Sequence, residues 1–128
     1  MKIFCIECNK EVEPRLTDGE EIYPHRMDLQ DIPFWRCDAC GNHVGCHHKT
    51  KQRTRPLGCI ATPEILLLRK KIHHFIDPIW QSGKMPRGKL YAILGDTLGR
   101  QYHTADIRSV EEAERVLERA MEIYDINF

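Results

Sequence analysis

No stretch of this chain reaches the roughly 20 unbroken apolar residues that a membrane-spanning helix needs. There is no His-Glu-x-x-His helix motif and no glycine-rich phosphate loop, so neither a helix-borne metalloprotease site nor a nucleotide cradle is encoded. No segment repeats, and no tract is of low complexity. The opening "MKIFCIECNK" has one early lysine and no long apolar core behind it, so it does not read as a secretory signal. The expectation is a cytoplasmic protein with no membrane partner.

Net charge is also missing: 19 basic residues balance 19 acidic ones. The balance is not local. Residues 1–35 carry 4 basic and 8 acidic side chains, residues 36–100 carry 12 and 4, and residues 101–128 carry 3 and 7. A basic middle between acidic flanks can present a positive face to phosphate groups. The competing reading is that the acidic flanks fold back over it.

Cysteine is present, and its grouping is informative. Cys5/Cys8 and Cys37/Cys40 form two Cys-x-x-Cys pairs, while Cys46 and Cys59 stand singly. Paired spacing argues for metal ligation in a reducing compartment rather than a disulfide scaffold. Two residues between ligands make a tight knuckle that aims both thiolates at one ion. Four thiolates give the closed tetrahedral site of structural Zn2+, with no open position to activate water. Gly41 follows the second knuckle and Asn9 the first, and both residues tolerate the left-handed backbone a knuckle requires. Iron on the same thiolates, or a redox role, is the lesser alternative. One such ion contributes on the order of 10 kcal/mol or more to folding. Cys46 reads as a small buried hydrophobe and Cys59 as packing near a helix start. A second metal site from Cys46, His47 and His48 with His43 or Cys59 is disfavoured, because strand alternation puts His43 and His47 on one face and Cys46 and His48 on the other.

The chain around the knuckles reads as β structure: a strand over 3–10, a turn at "TDGE" with Gly19 able to take positive φ, a returning strand at "EEIYP", a further strand entering Cys37, and one leaving through "GNHVGCH" with Gly45 at a bulge or tight approach. "KTKQRTRPLG" is a polar, basic connection. Then the period changes. Thr62 and Pro63 open a helix whose Ile65, Leu68, Ile72, Phe75, Ile76 and Ile79 make one apolar stripe. Pro78 either kinks it or opens a fresh turn. A second helix runs from Pro86 to a Gly99 stop. "RQYHTADI" reads as extended. A third helix starts at a Ser109/Glu112 capping box, with Val110, Ala113, Val116, Leu117, Ala120, Met121 and Tyr124 facing inward. The fold expected is α+β: a zinc-ribbon-like β unit over residues 1–58, packed against a helical segment over 59–128 as one compact domain.

Two further constellations bear on function. Lys49, Lys51, Arg53 and Arg55 in the basic connection, with Lys70, Lys71, Arg87 and Lys89 on the helices, are candidates for nucleic-acid contact. An exposed Trp35 beside Arg36 would add a stacking platform. Arg69, His73 and Asp77 share a helix face near Trp80, so Asp77 can orient the His73 imidazole while Arg69 holds an anion. That face serves a structural network, part of a nucleic-acid surface, or a nuclease site; the last needs a further ligand, for which His47, Asp77 and His103 are candidates. The reading preferred is a zinc-stabilised module that binds DNA or RNA. A metal-dependent nuclease and an adaptor to a host protein are the alternatives.

The runs "PFWRCDACGNHVGCHH", "RPLGCIAT", "LLLRKKIHHFIDPIW", "RGKLYAILGDTLG" and "YHTADI" resemble a zinc-finger-containing family of unknown function found in bacteriophage and bacterial proteins, over nearly the whole chain. The resemblance implies knuckle ligands at Cys5, Cys8, Cys37 and Cys40. It also implies shared elements at Val44 to His47 and Pro56 to Gly58, and shared positions at Arg69, His73, Asp77, Trp80, Arg87, Tyr91 and His103. Cys59 departs from it, standing where a small polar residue is expected. No established activity comes with the resemblance.

Overall fold

The computed structural model describes residues 1–128 as two compact units, Met1–Thr62 and Pro63–Phe128. The first holds all the strands and the second is helical.

In the first unit, β1 (Ile3–Cys5) and β2 (Lys10–Val12) pair antiparallel, with Ile3 opposite Val12 and Cys5 opposite Lys10. The single strand expected over 3–10 is thus a hairpin, because the Cys-x-x-Cys knuckle is itself the chain reversal. A second sheet has the order β3-β4-β5, built from Arg15–Asp18, Pro33–Arg36 and His43–Gly45. Each pairing is antiparallel, with Trp35 opposite Leu16 on one side and Val44 on the other.

Between β3 and β4 the sequence reading fails. The returning strand is not "EEIYP" but β4, about ten residues later. Asp18 caps a single helical turn, α1 (Gly19–Ile22), by accepting from the Glu21 amide at 3.3 Å. Nor is Gly19 a positive-φ residue. It is needed for space, since a Cβ there would lie 1.7 Å from the Leu29 carbonyl oxygen. The close approach is made by a chain segment ten residues away, which local turn chemistry does not reveal. Gly45 is the tight approach expected, with Leu57 Cδ1 3.3 Å from where its Cβ would stand.

After β5 the chain makes an excursion closed at its neck by a Cys46–Pro56 bridge and by the His47 amide donating to the Arg55 carbonyl at 2.8 Å. It then returns to run beside β1. Ile60 donates to the Phe4 carbonyl at 2.8 Å and accepts from the Ile6 amide at 2.9 Å. The core of this unit is small: Ile3, Cys5, Cys37 and Ile60, flanked by Cys8, Val12, Trp35, Cys40 and Val44.

The second unit is a bundle of α2 (Pro63–Gln81), α3 (Arg87–Leu98) and α4 (Val110–Asn127), with α2 and α4 as the principal pair. Ile72, Ile76, Ile79, Leu90, Leu94, Tyr102, Ile107, Ala113, Val116, Ala120 and Ile123 form one buried core. The predicted stripe of α2 is therefore the packed one, with Leu68 and Phe75 at its margins. Met121, assigned inward from the pattern, is exposed, and Ile123 takes the buried place. The helix α2 continues through Pro78 rather than opening a fresh turn there. The proline stands in the last turn, where its missing N–H costs only one bond. Gly99 ends α3 in the left-handed conformation at φ +71, as a C-terminal glycine should. The segment before α4 holds a 3-10 turn at Thr104–Asp106 rather than a fully extended run. Ser109 caps α4 by accepting from the Glu112 amide at 3.1 Å. Only half of the capping box forms. The Glu112 carboxylate takes the Arg108 amide at 3.4 Å and the Arg100 guanidinium at 2.5 Å, instead of turning back to Ser109.

Candidate metal centre and basic loop

The β1–β2 reversal carries Cys5 and Cys8, and the turn between β4 and β5 carries Cys37 and Cys40. Their four sulfurs lie within 4.8 Å of one another. Cys5 Sγ and Cys40 Sγ are 3.6 Å apart, and Cys8 Sγ and Cys37 Sγ 3.7 Å. A disulfide holds its sulfurs about 2 Å apart, so these pairs are not bonded; all six cysteines are free. Metal–sulfur bonds of about 2.3 Å in a tetrahedron place neighbouring sulfurs about 3.8 Å apart. These two spacings match the edge length of a tetrahedral thiolate site, and the donor set fits a structural metal.

The backbone prepares the sulfurs for negative charge. Asn9 has φ +53 and Gly41 φ +82, the left-handed turns expected behind each knuckle. At the second knuckle the Gly41 amide donates to the Cys37 carbonyl at 2.7 Å, and the Asn42 amide points at Cys40 Sγ from 3.4 Å. The Cys37 thiol has the lowered pKa. Burial works against its thiolate, but the Cys40 and Ala39 amides and the neighbouring thiols outweigh it. Cys5 and Cys40 are pushed up, chiefly by burial, and Cys8 by its hydrogen bond with Cys37. A bound dication reverses that preference, because a coordinated thiol gives up its proton. The four cysteines would then hold the ion as thiolates and close its shell.

An ionic cluster braces the second knuckle. Arg15 makes paired hydrogen bonds to Glu21, at 2.9 and 2.8 Å, and to Asp38, at 2.9 Å twice. Arg36 adds contacts of 3.0 Å to Glu21 and 3.5 Å to Asp38. Arg15 and Arg36 lie directly opposite each other in the sheet, so the two carboxylates relieve a like-charge pair. Bonding to Arg15, and then to Thr17, holds the Glu21 carboxyl down at about 2.

Cys46 and Cys59 are both buried and are not among the four converging thiols, and burial pushes the Cys46 thiol up. The chain contains no other group of three or more candidate metal ligands. His43 instead meets the Tyr23 hydroxyl at 3.1 Å and packs edge-on against Phe34. Trp35 is not an exposed platform. Its ring packs against the cysteine core, its indole N–H donates to the Thr54 carbonyl at 2.7 Å, and Arg36 beside it is held by carboxylates.

Lys49, Lys51, Arg53 and Arg55 are all exposed on the excursion after β5, and none is in an ion pair. Arg53 instead donates to the His48 and Asp31 carbonyls at 3.2 and 2.7 Å, and Arg55 to Gln52 Oε1 at 3.3 Å. In the helical unit Lys70, Lys71, Arg87 and Lys89 are exposed as well. Arg87 lies over the rings of Trp80 at 4.9 Å and Tyr91 at 5.1 Å, which fixes its guanidinium plane.

The Arg69–His73–Asp77 face is divided. His73 Nδ1 meets Asp77 Oδ1 at 3.1 Å, and the Trp80 indole N–H donates to the same oxygen at 3.1 Å. Arg69 donates from Nη2 to the carbonyls of Ala105 and Ile107, at 3.0 and 2.6 Å, and so staples the loop before α4. His103 is exposed. Tyr102, which the sequence reading passed over, is buried, its hydroxyl 2.6 Å from Thr104 Oγ1 and pushed to about 12 chiefly by burial.

No curated protein and no solved structure matches the chain. A family described as a zinc-finger-containing domain matches residues 1–124, spanning both knuckles, α2, α3 and most of α4. The convergence of the four cysteines agrees with that description, and the chain belongs to the zinc-finger-containing domain family.

Proposed function

We propose that Cys5, Cys8, Cys37 and Cys40 hold one structural Zn2+ and that the protein is a nucleic-acid-binding module. Zinc suits four thiolates in a closed tetrahedron, and the family's description points the same way. The binding reading rests on one observation. Arg15, Arg26 and Arg36 in the first unit all pair with carboxylates, whereas Lys49, Lys51, Arg53 and Arg55 pair with none. Four unneutralised cations within seven residues repel one another and gain most from an anionic ligand that releases its counterions. Lys70, Lys71, Arg87 and Lys89, exposed in the helical unit, are proposed as contacts of that unit in their own right. DNA or RNA fits it, at a cytoplasmic location.

The test is titration of the zinc-loaded protein with fluorescent single-stranded and duplex oligonucleotides across a range of salt. If the four loop cations each neutralise a phosphate, log affinity falls against log salt with a slope of about −3 to −4. Absence of binding at low salt overturns the reading.

The His73–Asp77 pair supports a second reading, in which the carboxylate orients the imidazole as a general base in a nuclease. Oligonucleotide cleavage in magnesium or manganese that disappears in His73→Ala would favour it. Intact oligonucleotides would reject it.

A further inference from the structure

The excursion after β5 is more than a string of charges. Its turns are fixed from within. The Thr50 amide and hydroxyl both donate to the His47 carbonyl, at 3.1 and 2.8 Å. The Gln52 amide donates to Thr50 Oγ1 at 3.2 Å, and the Arg55 amide to the Gln52 carbonyl at 3.0 Å. The neck is closed by the His47–Arg55 hydrogen bond and the Cys46–Pro56 bridge. From outside, the Trp35 indole grips the Thr54 carbonyl, and Arg53 ties the loop to Asp31 and His48.

This frame encloses an open hollow of about 290 Å³ lined by His47, Thr50, Lys51, Gln52 and Arg55. No carboxylate lines it. Two of the five side chains are permanent cations, one is an imidazole, and the other two carry a hydroxyl and an amide. Gln52 Oε1 accepts from one arm of Arg55, which orients the guanidinium fork. An arginine fork held in place binds a phosphate through paired hydrogen bonds, and a lysine adds a point charge.

We propose that this hollow is a discrete phosphate-binding site, with Lys51 and Arg55 as its principal contacts, and that its ligand is a phosphodiester of a polynucleotide. The proposal deepens the nucleic-acid reading and rests on it for the ligand's identity. It differs from a diffuse basic patch by predicting that one phosphate is held at a fixed place. Lys49 and Arg53 lie on the same loop but do not line the hollow, so they add long-range attraction and frame, not the site itself.

The experiment is an amide NMR titration of the zinc-loaded full chain, first with inorganic phosphate and then with a short oligonucleotide. Inorganic phosphate is expected to move the Thr50, Lys51, Gln52 and Arg55 resonances saturably. Lys51→Ala with Arg55→Ala should weaken that response about tenfold or more, whereas Lys49→Ala should change it about twofold or less. Both substitutions are on exposed side chains, so folding is checked by unchanged shifts elsewhere. The site is overturned if phosphate moves none of these amides, or moves them equally in the double variant. If the oligonucleotide binds but shifts only resonances outside the hollow, nucleic-acid binding survives and the site falls. If phosphate fills the hollow and the oligonucleotide does not bind, the phosphate site stands, while its polynucleotide ligand and the nucleic-acid reading fall together.

Discussion

The two units are nearly equal in length and opposite in what holds them together. The helical unit buries eleven residues in one apolar core, nine of them aliphatic or aromatic side chains larger than alanine. The unit before it buries a cluster of four, and two of those are Cys5 and Cys37. A short chain with so small a core lacks the apolar area to offset its conformational entropy. The helical unit meets that cost by burial, and the structural ion proposed for the cysteine unit would meet it there by its bonds. The strands of the cysteine unit are three or four residues long, too short to be stable as hairpins in water.

Removing the ion breaks this comparison most severely. Chelation, or Cys37→Ser, should remove on the order of 10 kcal/mol of folding free energy from the first unit. Circular dichroism is expected to keep most of its helical signal, while amide dispersion from β1 to β5 collapses. Loss of the helical signal in step with the metal would show that the two cores are not separate. The converse experiment is Ile76→Ala, in the centre of the helical core. It should cost about 2–5 kcal/mol in the helical transition and leave the zinc content at one ion per chain, as measured by a colorimetric chelator. The smallest effect is electrostatic. Glu21→Gln should lower the denaturant midpoint of the first unit only slightly, because exposed ion pairs are screened. The sign with pH follows from the lowered Glu21 carboxyl. Its contribution is present above the ordinary carboxylate value of 4.5, and is lost as pH falls toward about 2. Comparing denaturant midpoints of wild type and Glu21→Gln across that window should show the difference shrinking toward zero.

What could be read from the sequence was whatever its own local chemistry determines. Two residues between thiols impose a knuckle wherever they occur, and Asn9 and Gly41 announce its handedness. The 3.6-residue period of α2 and the Ser109 cap of α4 are equally local. Reading failed where a distant partner decides. Gly19 is required by the Leu29 carbonyl, so its presence suggested a hairpin turn that is a helical turn instead. Arg69 was placed on a face with His73 and Asp77, and a structural network was one of the readings of that face, but its partners, the carbonyls of Ala105 and Ile107 some 36 and 38 residues further along, could not be named from spacing. The basic loop was visible as composition. Its hollow was not, because Thr50 and Gln52 look like ordinary polar filler until the Cys46–Pro56 closure folds the run upon itself.

Trp35 and Trp80, the chain's two tryptophans, fall one in each unit. Trp35 touches the cysteine core with its ring and the basic loop with its indole N–H, while Trp80 is bonded to Asp77 and covered by Arg87. The molecule therefore carries a built-in pair of optical reporters. In a Trp80→Phe background, emission should follow the metal and any ligand seated in the loop. In a Trp35→Phe background, it should follow the helices alone. Each unit can thus be watched separately within the intact chain, with no label attached.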